Sequence, residues 1–92
     1  MNINVVNRVY NGVVAAGNSP VQFPDIALLN SIVLMNHSGS TGPIYVGNSG
    51  VTPENGFQIN VSAGVGLNVD NANRLFVVCD GSDTGEIRYV GS

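Results

Sequence analysis

The sequence predicts an all-β domain, either a small antiparallel β-sandwich or a jelly-roll-like barrel, with about eight short strands. Residues that disfavour helices dominate the 92-residue chain, with thirteen Asn, twelve Gly, four Pro and fifteen Val. Short apolar segments recur along the chain, separated by Gly, Asn, Ser or Pro at intervals of roughly 8–12 residues, which is typical of sandwiches and barrels. No linker or fixed-period repeat divides residues 1–92, so we expect a single β domain.

The first half of the chain contains four predicted strands and one short extended segment. The strands are 3–10, 13–16, 31–36 and 43–47, and the extended segment is 21–23. Asn11 and Gly12 should form a tight hairpin turn between the first two strands, because both residue types tolerate positive φ. Residues 24–30 are the only helix candidate, of one or two turns. Ile32 to Met35 offers no polar position, so the third strand should be mostly buried on both faces.

The second half contains four further strands. They are 57–61, 65–69, 74–80 and 86–90, and polar turns separate them. Strict alternation places Ile87 and Tyr89 on one face of the last strand, with Arg88 and Val90 on the other. At the opposite end of the chain, residues 1–10 are expected to form an arm or an edge strand.

Charged residues are scarce and include no lysine. Only 10% of the chain is charged, and the net charge is −3. Nucleic acid and anionic membranes are therefore poor candidate partners, because both need clustered Lys and Arg. No apolar run approaches the roughly 18 residues of a membrane span, and no secretory signal is evident. A weakly charged surface and a small core both favour a protein that packs against other copies or other proteins.

No residue pattern indicates an enzyme, a cofactor or a metal centre. His37 is the only histidine, and we interpret it as a solvated loop residue. Cys79 is the only cysteine and follows four apolar residues, which indicates a buried strand position. The acidic stretch from Asp80 to Glu86 lacks the ligand spacing of a calcium loop. We interpret it as a structural turn, with a cation site as the alternative.

A set of short motifs runs through the stretch from Pro43 to Ser92. They are IYVGNSGVT at 44–52, the turn Ser62-Ala63-Gly64, LFVVC at 75–79 and IRYVG at 87–91. Together they resemble a small β domain of tailed-bacteriophage structural proteins, and a free-standing copy of this size is similar to a head decoration (cement) protein. The resemblance implies a non-enzymatic virion protein that is made in the host cytoplasm and binds the major capsid protein. It further implies a homotrimer on the capsid exterior that stabilises the shell.

The N-terminal arm is the predicted contact with partners. The candidate contact residues are Ile3, Val5, Val6 and Arg8, because the arm combines apolar content with a position near a chain end. An extended arm can add a strand to a neighbouring sheet through backbone hydrogen bonds.

The alternative function is a tail, fibre or spike component that recognises a host-surface glycan. Sugar sites use exposed aromatic faces. The chain has no Trp, and Tyr10, Tyr45 and Tyr89 are the aromatic residues expected to be available for such contacts.

Overall fold

The computed structural model describes residues 8–92, which form eight strands and one 3-10 turn. The strands are β1 (Tyr10–Ala16), β2 (Val21–Gln22), β3 (Ile32–Asn36), β4 (Ile44–Gly47), β5 (Phe57–Ile59), β6 (Gly64–Leu67), β7 (Phe76–Cys79) and β8 (Gly85–Gly91). The 3-10 turn spans Ala72–Arg74, and the side chain of Asn71 caps it by accepting the N–H of Asn73. No helix in this part of the chain has the length and apolar character needed to cross a membrane.

The strands pair in the order of a jelly roll. One sheet has the order β1-β8-β3-β6 and the other the order β2-β7-β4-β5, with every pair antiparallel. The first strand thus pairs with the eighth, the second with the seventh, the third with the sixth and the fourth with the fifth. A long hairpin rolled up from its ends gives this pattern, which defines the jelly roll. The two sheets stay separate, so the predicted fold class is confirmed as a sandwich rather than a closed barrel.

The core lies between the two sheets and takes alternate residues from most of the strands. Its members include Val14, Phe23, Ile32, Leu34, Ile44, Val46, Ile59, Val77, Cys79, Ile87 and Tyr89. The rings of Phe23 and Tyr89 meet in a tilted pair with their centroids 5.6 Å apart. The predicted alternation of the last strand is confirmed, because Ile87 and Tyr89 are buried while Arg88 and Val90 are exposed.

The prediction of a hairpin turn at Asn11 and Gly12 is wrong. Both residues lie inside β1, where Gly12 is directly opposite Tyr89 of β8. A Cβ at residue 12 would lie 2.6 Å from the hydroxyl oxygen of Tyr89. Glycine is needed here to make room for an aromatic ring, and its tolerance of positive φ plays no part.

The prediction of a helix at 24–30 is also wrong, because that segment does not form a helix. Its backbone groups bond to distant parts of the chain instead of to each other. The N–H of Leu28 donates to the carbonyl of Asp70, and the N–H of Asn30 donates to the carbonyl of Ser92. Ala27 forms an isolated antiparallel bridge with Asn71. These long-range bonds satisfy the polar backbone that a short helix would have satisfied locally.

The third predicted strand is not buried on both faces. In β3, Ile32 and Leu34 are fully buried, but Val33 is 46% exposed and Met35 is 39% exposed. The buried polar position is Asn36, which points inward at the end of the strand. The strand therefore alternates, and its outward positions are apolar.

Candidate interaction surface

The outer face of the β1-β8-β3-β6 sheet presents apolar side chains to solvent. Val13 on β1, Val90 on β8, and Val33 and Met35 on β3 all point away from the core. Val13 is 54% exposed and Val90 is 45% exposed. Val33 lies directly opposite Val90 in the strand register. We call these four residues the apolar face. Arg88 of β8 lies on the same side, directly opposite both Val13 and Met35, so one arginine interrupts the face. Clustered exposed apolar side chains of this kind mark interaction sites.

Small residues occupy much of the rest of this sheet surface. Gly66 of β6 lies opposite Val33, and Gly64 lies opposite Met35. Ala15 of β1 is exposed on the same side. The concavity that Val9, Val33 and Val90 line has a volume of about 200 Å³. Small-molecule sites are larger, at about 300–1,000 Å³, so this surface suits a macromolecular partner instead.

The charged groups on this surface neutralise one another. Arg88 donates from Nη2 to Oε1 of Glu86 at 3.1 Å. Nε2 of His37 lies 3.7 Å from the same carboxylate oxygen and 3.4 Å from Nη2 of Arg88. Such partly exposed pairs contribute about 0–1 kcal/mol to stability. Their effect here is to leave the sheet surface without a net charge of either sign.

A concavity of about 430 Å³ lies beside this cluster, lined in part by His37, Ser40, Thr84 and Glu86. The hydroxyl of Ser40 accepts the backbone N–H of Glu86 at 3.1 Å. That bond ties the 37–42 loop to the start of β8 and gives Ser40 a structural role. The predicted loop position of His37 is confirmed, although its side chain is half-buried rather than fully solvated.

Part of the opposite sheet is covered by the chain itself. The loop 48–56 folds back over β4, and Val51 in this loop is only 3% exposed. The γ-methyl carbon Cγ2 of Val51 occupies the space where a side chain would begin at both Gly47 and Gly56. Val51 is buried without belonging to the core cluster between the sheets. Within residues 8–92, the loop thus covers part of β4, while the apolar face of the other sheet stays open.

Three of the four predicted contact residues, Ile3, Val5 and Val6, lie outside the described residues. The fourth, Arg8, is exposed and donates from Nη1 to the hydroxyl of Tyr10 at 3.1 Å. This hydrogen bond raises the pKa of the Arg8 guanidinium. Arg8 also lines a concavity of about 290 Å³ together with Leu29 and Ser92, at one end of the sandwich.

Sequence reasoning missed the apolar face, because it placed Val33 and Met35 in a strand buried on both faces. Val13 and Val90 were recognised as strand residues without any indication of what they contact. Five of the exposed large apolar residues in the described chain lie on this side of the sheet or beside it: Val9, Val13, Val33, Met35 and Val90. Their clustering depends on strand order, which local pattern does not reveal.

The cysteine prediction is confirmed, because Cys79 lies in β7 and is 1% exposed. Burial raises the pKa of its thiol, and the nearby Asp83 carboxylate raises it further. A reactive cysteine needs a lowered pKa and access to solvent. Cys79 has neither, so it serves as a small apolar core residue.

The stretch from Asp80 to Glu86 forms the turn that was predicted between β7 and β8. The N–H of Asp83 donates to the carbonyl of Asp80, and Oδ1 of Asp83 accepts the hydroxyl of Thr41. In the part of the chain that the structure covers, no three His, Cys, Asp or Glu side chains come together as a metal-binding group.

The aromatic side chains divide between core and surface. Tyr89 is buried, Tyr45 and Tyr10 are half-buried, and Phe57 at the start of β5 is 58% exposed. Alternation places Phe57 on the same strand face as the buried Ile59. Phe57 nevertheless emerges into solvent at the edge of the second sheet.

The chain was compared with protein-family models, with curated proteins and with solved structures, and none of the three comparisons gave a match. The functional argument therefore depends on the fold and on the geometry of this surface. The molecule is an eight-stranded jelly-roll sandwich whose first sheet exposes an apolar face.

Proposed function

We propose that this chain is a non-enzymatic structural protein of a bacteriophage virion, which binds the outer capsid surface and stabilises the shell as a decoration protein. The observation that carries the proposal is the open apolar face formed by Val13, Val33, Met35 and Val90. A surface of this kind is stabilised when a second protein covers it. The jelly roll is also an architecture of viral capsid proteins, which supports the proposal by analogy of fold.

The energy available from this face indicates how such a protein would work. Covering one half-exposed Val or Met side chain contributes about 1 kcal/mol. Four of them contribute about 4 kcal/mol, which is no more than the roughly 4–15 kcal/mol that association costs in lost translational and rotational freedom, so a single copy would bind weakly. Repetition over a capsid lattice, or association of several copies, multiplies that weak contact. Binding only the assembled lattice then shifts the equilibrium against disassembly.

The proposed partners are the major capsid protein and further copies of this chain, on the exterior of a virion assembled in the host cytoplasm. The family resemblance implies a homotrimer, and the mass of the purified protein in solution tests that state. Neither nucleic acid nor a membrane is a proposed partner, because the three arginines do not form a basic cluster: Arg74 and Arg88 each pair with a carboxylate.

The test uses capsids assembled from the major capsid protein encoded in the same genome. We expect the protein to co-sediment with these capsids and to raise their melting temperature. The double variant Val33→Lys/Met35→Lys should weaken co-sedimentation at least about tenfold, because it places two charges in the apolar face. Val61→Lys changes a valine that is 37% exposed elsewhere on the surface, and it should bind normally.

Two results would contradict this proposal. Wild-type protein that neither sediments with the capsids nor stabilises them would exclude the decoration role. Equal binding by the double variant and wild type would show that the apolar face is not the contact.

The second candidate is recognition of a host-surface glycan by a tail, fibre or spike component. The observation that favours it is Phe57, which is 58% exposed at the edge of the second sheet. A glycan array probed with wild-type protein and with Phe57→Ala tests this function. Binding that Phe57→Ala abolishes would favour it, and an array without binding would exclude it.

A further inference from the structure

The edges of the two sheets differ sharply in length. The edge strands β2, β5 and β6 have two, three and four residues, whereas β1 has seven. Natural sheets protect long edges with lysine, proline, bulges or inward charges. The sequence of β1 is YNGVVAA, which contains no charged residue and no proline. It is the long, unprotected edge of this domain.

The free side of β1 has no backbone partner among residues 8–92. This strand pairs with β8 along its whole length, from Tyr10 opposite Gly91 to Ala16 opposite Gly85. Outside that pairing, no other backbone hydrogen bond connects residues 10–16 to the rest of the described chain. Alternate N–H and C=O groups of an edge strand point away from its one partner. They form a ready template for another extended strand.

We propose that the β1 edge binds the β1 edge of a second copy of this chain, antiparallel, about a two-fold axis at Val13. Val13 is the midpoint of the seven-residue strand, so it would face its own counterpart. A two-fold contact must be complementary to itself, and the sequence of β1 meets that requirement. The opposed pairs would be Tyr10 with Ala16, Asn11 with Ala15, and Gly12 with Val14 of the second copy.

Size and charge both favour this register. The largest side chain, Tyr10, faces one of the smallest, and Gly12 faces a branched residue. No charged side chain lies opposite another, because β1 carries none. Like charges directly opposite each other would destabilise a strand pair, and they are absent here.

The pairing would join two four-stranded sheets into one continuous eight-stranded sheet. The two-fold axis runs normal to the sheet, so both apolar faces end up on the same side. The inference stands apart from capsid binding, because it concerns only the contact between copies. It predicts a two-fold pair in place of the homotrimer that the family resemblance implies. If the capsid role is correct as well, each pair presents a doubled apolar surface to the shell.

The test compares two charged double variants at exposed positions of β1. In Asn11→Lys/Ala15→Lys, each lysine faces a lysine of the second copy in the proposed register. In Asn11→Glu/Ala15→Glu, each glutamate faces a glutamate. We expect wild-type protein at high concentration to have twice the 9.5 kDa monomer mass by light scattering. Each variant alone should stay at monomer mass, and an equimolar mixture should recover the doubled mass, because opposite charges then face each other.

A control variant separates edge pairing from contact through the apolar face. Val90→Lys changes a residue of the same surface on the inner strand β8, and it should leave the doubled mass unchanged. Circular dichroism establishes that each variant retains its β structure. Wild-type protein that remains monomeric at every concentration, or that forms trimers, would overturn the two-fold pairing. Failure of the mixed variants to recover would do the same, as would loss of association in Val90→Lys. None of these results depends on whether capsids bind.

Discussion

The ring of Tyr89 lies where a side chain at residue 12 would begin. A Cβ on Gly12 would be 2.6 Å from the hydroxyl oxygen of Tyr89 and 2.9 Å from its Cζ, closer than real contacts allow. The same ring packs against Phe23 across the core. Gly12 therefore sets the position of an aromatic ring that links β8 to the segment following β2.

Gly12→Ala should lower the free energy of unfolding by about 1–3 kcal/mol, because Tyr89 must shift to accept the new methyl group. Urea denaturation measures this change. Gly17→Ala is the control, since a Cβ there meets no atom within 4 Å, and it should change stability by less than about 0.5 kcal/mol. In a Tyr89→Phe background, Gly12→Ala should cost less, because the closest atom is gone. Equal costs in the two backgrounds would show that the hydroxyl of Tyr89 is not what the glycine accommodates.

Asn36→Ala should be the most destabilising change of an asparagine in the described chain. Nδ2 of Asn36 donates to the carbonyls of Gly42 at 3.1 Å and Ile59 at 2.9 Å, and the residue is fully buried. Alanine leaves both carbonyls without this donor, at a cost of about 2–4 kcal/mol. Thermal unfolding monitored by circular dichroism checks the loss. Asn68→Ala, at an exposed position, should have little effect. Similar melting temperatures for the two variants would contradict the bridging role of Asn36.

The thiol of Cys79 should react at least about 100-fold more slowly in the folded protein than in denaturing urea. Burial raises its pKa and excludes reagents, so modification requires opening of the sandwich. Labelling with an aromatic disulfide at mildly alkaline pH measures both rates. Rapid labelling of the folded protein would mean that β7 is more accessible than the structure indicates.

The carboxyl of Asp70 should titrate below the usual range for aspartate. Arg74 donates to it from Nε at 3.0 Å and from Nη2 at 3.2 Å, and this bidentate pair lowers the pKa of Asp70. The pair stabilises the fold above the unfolded aspartate pKa of about 3.9. That stabilisation is lost as the pH falls through the lower folded value. An NMR titration should show the Asp70 pKa rising in Arg74→Gln, and an unchanged value would contradict the pairing.

Alternation in the sequence was enough to predict strands whose two faces differ in polarity. In β4, Ile44 and Val46 are buried while Tyr45 is half-buried on the other face, as the pattern indicated. In β3 the pattern failed, because Val33 and Met35 are as apolar as the buried residues beside them. A chain with only 10% charged residues has few polar positions to mark the solvent side. Exposure in β3 follows from strand order, which places no further layer over that sheet.

The other two errors share a cause in long-range contacts. Asn11 and Gly12 form a favoured turn sequence, yet the residue that explains the glycine is Tyr89, near the other end of the chain. The segment 24–30 is helical by local preference, but its backbone bonds to Asp70 and Ser92. Local sequence carries no information about either partner. The candidate surface was missed for the same reason, since it is assembled from strands that lie far apart in the sequence.

The position of β8 also determines when the first sheet can form during synthesis. β8 is the last of the eight strands to leave the ribosome, and it lies between β1 and β3. Until it emerges, β1 has no strand to pair with, and β3 has only β6. The pair β4 and β5 is closest in sequence and can close first, whereas β1 and β8 must close the longest loop. The β1-β8-β3-β6 sheet is therefore completed only after β8 has been translated. Among the eight strands, β1 stays without its pairing strand for the longest time.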